Sequence, residues 1–520
     1  MSARKRKRGK KMLQTCKSIL KKHGWLQWVL CAVCGLLFFG GMYVIAYHNA
    51  EWWRPWLPTS INNDEVMYNR QLAGVLTSGQ PRGYFGYNET HAPVGHFGAW
   101  GPIVIYLYAI PGVLFGTGCN TMLWCNISFA VVGWIVFVRG TRLSWKKQIA
   151  FALGMACLWL PLRLIFSGMS EPSQYFLVLM ILGASVALQR QFRVGWFGVL
   201  AVACALTTIT RAYTVLLWIF PIVILWKKHR RWAVTSIGLG AASLAGYLSV
   251  TSFLNSPYFS GGDVDFTALE MLLQGNAVQS VQYEIQHVET ELSTLWQEYL
   301  RPTLTGNPQD QGCAFLTMMV LVLLVLFCTI YDAVHKRPVV LKVCALLCTG
   351  VCLVALLGLY TVGTLHRHCS LLNVLLLAVL VYENAHSILM CLPLVPLLVI
   401  NTYSHTLPTY RADIDAQIQT ARAALTESWQ ARASEDPWDS TLAYAYADGV
   451  FHGFLYAVPD GMGIQFDMNT YIADETQPIY SRYAMVNHGT DAEARLLAEG
   501  WQQLVSTEKL VVYERPDAVQ

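Results

Sequence analysis

Residues 25–47 read WLQWVLCAVCGLLFFGGMYVIAY, and residues 61–68 read INNDEVMY. The first stretch has no charged residue and is longer than the ~20 residues a helix needs to cross a bilayer. Ahead of it stand Arg4, Lys5, Arg6, Lys7, Arg8, Lys10, Lys11, Lys17, Lys21 and Lys22. Such a basic tail stays cytoplasmic, so the span places Asp64-Glu65 on the outer side. The run is too long for the apolar core of a cleavable signal and no small-residue cleavage site follows, so it reads as a signal anchor. A carboxylate pair just beyond lipid needs a partner or a task.

Composition extends this reading to the whole chain. Apolar residues make up 54% and charged residues 13% of 520, about half the charge of a soluble domain. The expected fold is an all-α polytopic membrane protein with a small outer α/β domain at its C-terminus. Apolar runs of spanning length fall at about 25–47, 121–138, 149–166, 172–188, 194–210, 212–226, 232–254, 313–332, 339–361, 370–384 and 386–403. That makes about eleven spans. The connections holding Arg139 to Lys147, Arg190 to Arg193, Lys227 to Arg231 and Lys336-Arg337 are basic and alternate along the chain. They are therefore expected inside, with the N-terminus, and the C-terminus outside. The net charge of +5 comes from a lipid-facing topology signal rather than a nucleic-acid surface.

One further apolar stretch, 102–115, is interrupted by Pro111-Gly112. If it spanned, Arg139 to Lys147 would lie outside. It is therefore expected as a surface helix on the outer face. Three polar segments share that face: 48–100, 255–312 and 404–520. The second carries an amphipathic helix pattern at about 266–299. The third opens with a helix at about 411–433. Strand-like runs follow at Leu442–Tyr446, Phe454–Ala457, Gly463–Phe466, Arg482–Val486 and Leu510–Tyr513, with a helix at about 491–503. The expected division is a basic tail at 1–24, a membrane domain at 25–403 and an outer domain at 404–520. The 14 cysteines avoid the long polar segments, which excludes a disulfide-stapled outer domain.

Chemistry-bearing residues gather at the outer ends of the spans. Asp64 and Glu65 follow Asn62-Asn63, so they suit both a capped helix start and a catalytic carboxylate. Glu171 precedes a helix-opening proline and has the same two readings. Arg211 joins two spans with almost no loop, where a guanidinium is costly unless it meets an anion or reaches headgroups. His366-Arg367-His368 offers three potential cations for a phosphate, with headgroup contact as the alternative. Arg82, His91 and His96 add polar groups to the first loop. Carboxylates and guanidinium groups on one membrane face fit sugar transfer from a lipid phosphate. A carboxylate takes the acceptor proton, and cations stabilise the departing phosphate.

At this point the chain resembles the GT-C superfamily of integral-membrane glycosyltransferases. These include protein O-mannosyltransferases, the aminoarabinose transferase of lipid A and the oligosaccharyltransferase catalytic subunit. The resemblance is carried by Asn63-Asp64-Glu65-Val66-Met67-Tyr68, by Gly101-Pro102 to Phe115-Gly116, by Ser170-Glu171 and by Thr210-Arg211. His366-Arg367-His368 lies where many members have an Arg-Tyr pair. It covers about residues 25–400 and leaves the C-terminal segment aside.

The resemblance implies an inverting transfer from a polyprenyl-phosphate sugar to an envelope glycan, glycolipid or protein. Asp64 is the implied base, with Glu65 and Glu171 as further catalytic carboxylates. Arg211, Arg367, His366 and His368 would bind the donor phosphate, and Tyr68, Arg82, His91 and His96 the substrate. Some members hold a divalent metal (Mg or Mn). Asp64, Glu171 and His96 would supply its ligands here, whereas Arg211 and Arg367 would neutralise the phosphate without one. The expected location is a bacterial plasma membrane. Two other classes stay open. A transporter or flippase predicts mid-span charge and repeats, and neither is evident. A non-catalytic envelope-assembly protein would tolerate replacement of Asp64.

Overall fold

The computed structural model describes residues 24–46, 64–79, 85–90, 102–254, 265–307, 310–397, 411–431, 436–446 and 452–516. Each of the eleven apolar runs falls on helix within those residues. Seven lie in helices long and apolar enough to cross a membrane: Trp25–Met42, Thr121–Thr141, Glu171–Arg190, Arg230–Leu254, Gln311–Val334, Val340–Leu359 and Leu365–Glu383. The other four are shorter or broken. The 149–166 run divides at Leu158 into Trp145–Cys157 and Trp159–Ile165. Val194–Thr210 has 17 residues, Ala212–Trp218 is a 3₁₀ turn running into Ile219–Trp226, and Ser387–Leu397 is short.

The centre of the bundle is the helix Glu171–Arg190, almost all of which is buried. It can sit so deep because its neighbour comes to backbone contact. A Cβ on Gly140 would collide with the carbonyl of Gly183, and one on Gly183 would stand 2.5 Å from the carbonyl oxygen of Val136. Small residues at such crossings let helices approach where lipid offers no hydrophobic drive. Gly183→Leu should therefore destabilise the protein by about 3 kcal/mol, the upper end for overpacking, because backbone cannot swing aside. Gly198→Leu, which meets nothing within 4 Å, should stay within about 0.5 kcal/mol of wild type. Denaturant unfolding in detergent measures both. Equal stability of the two variants would contradict the close crossing.

Pro102–Phe115 is a single 14-residue helix. At 1.5 Å per residue it extends about 21 Å, short of the roughly 30 Å hydrocarbon layer. Ile105 and Tyr108 are buried, while Ile110, Val113 and Leu114 are exposed. Its Gly112 lies against Leu72 and Leu76, which docks it on the helix Asp64–Ser78. The expected helix at 266–299 is interrupted. Thr267–Leu273 and Ala277–Thr294 are separated by Gly275 at φ +85°. This left-handed turn suits a residue without Cβ.

The C-terminal sheet has strand order β1-β3-β2-β4-β6-β5, with β1 Phe85–Gly86, β2 Thr441–Tyr446, β3 Gly463–Met468, β4 Tyr483–Asn487, β5 Gln502–Ser506 and β6 Leu510–Glu514. The four strands β1, β3, β2 and β4 run parallel, and β4, β6 and β5 antiparallel. Alternation divides the side chains between two cores. Leu442, Tyr444, Tyr483, Met485 and Val512 face the helix Ala412–Gln430, while Ala443, Ala445, Ala484, Val486 and Val511 face Asp491–Ala498.

Two expected elements differ. Phe454–Ala457 belongs to a 3₁₀ turn, His452–Ala457, and the helix at 491–503 ends at Ala498 to leave Gln502–Ser506 as an edge strand. The sheet is also not confined to the C-terminal segment. β1 comes from the first loop, and Val66 and Met67 of Asp64–Ser78 belong to the first of the two cores.

Candidate functional site

Two local features set the position of Asp64. It is the first residue of the helix Asp64–Ser78, where the dipole favours a carboxylate. The next residue, Glu65, is fully buried. It points about 100° round the helix, with its Cβ and backbone against Gly168. A Cβ there would lie 3.0 Å from that of Glu65. This close approach seats the helix on the turn Ser167-Gly168-Met169-Ser170. The turn is itself held from behind. Asn126 Nδ2 donates to the carbonyls of Ser167 (2.8 Å) and Met169 (3.1 Å), and Tyr108 donates its hydroxyl to Asn126 Oδ1 at 2.5 Å. The Pro102–Phe115 helix thus braces the turn that leads into Glu171.

Glu171 begins its helix with Pro172 behind it, a position where proline costs nothing. Its carboxylate is 3% exposed and accepts from both arginines. Arg211 Nη2 lies 3.1 Å and Arg367 Nη2 2.8 Å from Oε1. Arg367 also extends Nη1 to Asp64 Oδ2 at 2.8 Å. One guanidinium thus joins two carboxylates brought from different helices. Asp64 is one-third exposed, whereas Arg211 is 5% exposed. The chain of charge therefore starts at a surface and ends in the interior.

His368 continues this chain. Arg211 Nη1 lies 2.6 Å from His368 Nδ1. A guanidinium can only donate, so that nitrogen accepts and His368 does not act as a further cation here. This corrects the expectation of three cations at 366–368 for His368. His366 is buried in the same turn.

Tyr68 lies one turn after Asp64, so both share a helix face. Its hydroxyl is buried with no hydrogen-bond partner among the described residues. Burial pushes its phenol well above the ordinary value, and the carboxylates of Asp64 and Glu171 push it the same way. It is therefore a neutral donor beside the acid–arginine chain.

Arg82, His91 and His96 lie outside the described residues. Of the expected metal ligands, Asp64 and Glu171 are held by Arg367, which stands between them, and His96 lies outside the described residues. Among the described residues no group of three or more His, Cys, Asp and Glu is placed to hold a metal ion.

Two supports lay beyond the sequence reading. Arg70, 1% exposed, pairs with Asp460 at 2.9 Å and donates to the Pro459 carbonyl. Arg422 holds the same Asp460 at 3.0 Å and the carbonyls of Tyr456 and Val458. The C-terminal domain thereby grips the helix that presents Asp64. Glu89 adds a second grip, accepting from the backbone of Tyr480 and Ser481 at 2.8 Å each. On the other side, Glu291 accepts from the Val362 amide at 2.6 Å and so caps the helix that carries Arg367.

No protein-family model and no curated protein matches the chain. Among solved structures, the crystal structure of the Archaeoglobus fulgidus oligosaccharyltransferase in the apo form is similar, with 11% identity and a TM-score of 0.48. The match covers 88% of this chain and 69% of that one, and a likeness so distant bears on neither activity nor substrate.

Proposed function

We propose that the chain is a GT-C-type membrane glycosyltransferase. It moves a sugar from a polyprenyl-phosphate donor to an envelope glycan, glycolipid or protein at the outer face of a bacterial plasma membrane. The observation that supports this reading is Arg367, shared at 2.8 Å between a part-exposed Asp64 and a buried Glu171. Arg211 stands behind it on the same carboxylate. Such a set can hold a base and an anion side by side.

The reaction follows from the charges. The acceptor hydroxyl attacks the anomeric carbon while Asp64 takes its proton, and the bond from that carbon to the phosphate oxygen breaks with inversion. Arg367 and Arg211 meet the charge that grows on the leaving phosphate. At rest Arg367 holds Asp64. A donor phosphate competes for the same guanidinium and leaves Asp64 free to accept a proton. Tyr68 can donate its hydroxyl to the sugar or to the phosphate.

The placement of charge favours this reading over a transporter. Glu171 is the first residue of its helix, Arg211 follows the last residue of Val194–Thr210, and Arg367 lies in the second turn of Val362–Glu383. None of the three sits at mid-span, where a transport path would need them.

Binding of a polyprenyl phosphate to the purified protein tests the assignment. Arg211→Ala and Arg367→Ala should each bind it about 10- to 150-fold more weakly, the value of a charge-assisted hydrogen bond. Arg367→Lys keeps the charge without the planar fork and should fall between. If both alanine variants bind as tightly as wild type, the phosphate lies elsewhere, with Arg82, His91 and His96 as the next residues to replace.

A further inference from the structure

The far end of the bundle holds a second charged hollow that the transfer reading does not use. A cavity of about 800 Å³ opens where the helices Asp310–Val334 and Val340–Leu359 turn into one another, beside Lys147 and the end of Val362–Glu383. Glu383 follows Arg367 in the same helix by sixteen residues. The hollow is therefore about 24 Å from the Asp64 cluster.

Its base is a buried charge network. Lys342, 1% exposed, pairs with Asp332 at 3.0 Å and with Glu383. Two carboxylates thus hold one ammonium. The rim carries the remaining cations. Arg337 reaches Asp332 at 3.3 Å but stays 61% exposed, with its guanidinium 5.7 Å from the centroid of the Tyr331 ring. Lys147 donates to the Tyr382 carbonyl and lies 5.6 Å from the centroid of that ring. With three cations against two carboxylates, the lining keeps one net positive charge, and it lies at rim level.

One flank is apolar and open. Phe327 lines the cavity and is 65% exposed, and Met390 lines it beside an exposed Leu389. At about 30 Å³ per water the volume exceeds what a few structural waters fill. Lys147 and Arg337 belong to two of the basic connections of the chain, the kind of segment that meets anionic lipid.

We propose that this hollow binds the headgroup of an anionic phospholipid. Its phosphodiester sits between Lys147 and Arg337, and its acyl chains run down past Phe327 and Met390. A free phosphate would leave the apolar flank unused, and a zwitterionic lipid would leave the surplus positive charge unmatched. This inference rests on the helices spanning a membrane and is independent of sugar transfer.

The test uses the full chain in detergent, titrated with phosphatidylglycerol, phosphatidylcholine or glycerol 3-phosphate, with bound lipid counted by native mass spectrometry. Wild type should hold phosphatidylglycerol in preference to the other two. A rim cation near a lipid phosphate contributes about fivefold, so Lys147→Gln with Arg337→Gln should weaken binding roughly 30-fold. Arg337→Lys should keep most of the affinity. Lys227→Gln with Lys228→Gln, exposed cations outside the lining of the hollow, should change it less than twofold. Equal losses in the two double variants would mean general surface attraction and overturn the site. So would unchanged binding in the rim variant, equal retention of phosphatidylcholine, or competition by glycerol 3-phosphate at the affinity of the lipid.

Discussion

Asp64→Asn should lower sugar transfer by about 10²- to 10⁴-fold, the usual cost of losing a general base, while donor binding persists. The structure separates these two effects. The amide keeps the size of the side chain at the helix start, so the helix Asp64–Ser78 keeps its seat on Gly168 and on the C-terminal domain. Arg367 loses one partner but retains Glu171 at 2.8 Å. The broken pair is part exposed, and such pairs contribute about 0–1 kcal/mol, so the fold should survive. Polyprenyl phosphate should bind at least as tightly as to wild type, because it no longer competes with a carboxylate for Arg367. Single-turnover transfer and donor binding, measured on the same preparation, check both halves. Transfer within threefold of wild type would remove Asp64 as the base. A phenotype preserved in cells would favour the envelope-assembly reading, which needs no base.

The parts of this site that could be read from sequence are those where local chemistry is costly. Glu171, Arg211 and Arg367 drew notice because charge at the end of an apolar run needs a partner, and the three proved to be one another's partners. Arg70 could not be read in this way. Its partner Asp460 is 390 residues away, and nothing within one turn of either residue signals the contact. Asn126 was equally silent, since a single amide within an apolar helix acquires meaning only from the turn at 167–170 that it holds.

The fold shows the same division. Strands β2, β4 and β6 are short apolar runs because both faces of the sheet are covered. β5 was missed because it is an edge strand, largely exposed and polar at Gln502 and Gln503. Phe454–Ala457 has the composition of a strand, yet it forms a 3₁₀ turn whose Phe454, Leu455 and Ala457 are buried in the same core as Val66 and Met67. Composition records burial there, not backbone conformation.

Glu171→Gln should have the largest effect on stability and should also show what the cluster is built to receive. The carboxylate is 3% exposed and holds two guanidinium groups that are 5% and 17% exposed. Removing one partner of a buried ion pair costs about 3–5 kcal/mol, because the charge left behind stays desolvated. Arg367 keeps Asp64, while Arg211 loses the carboxylate it meets at 3.1 Å. Its contact with His368 Nδ1 brings no charge to replace the carboxylate.

An anion entering from the Asp64 side would supply what the variant lacks. At one and the same lipid concentration polyprenyl phosphate should therefore stabilise Glu171→Gln more than wild type, the variant gaining about 2.7 kcal/mol where that concentration is a hundredfold above the variant's own dissociation constant. Denaturant unfolding with and without the lipid phosphate measures this. A variant as stable as wild type without ligand would show that Glu171 does not anchor the arginines. Equal stabilisation of both proteins would show that the phosphate binds away from them. A large loss that the lipid phosphate partly restores is the outcome expected of two arginines held ready by a carboxylate for a second anion.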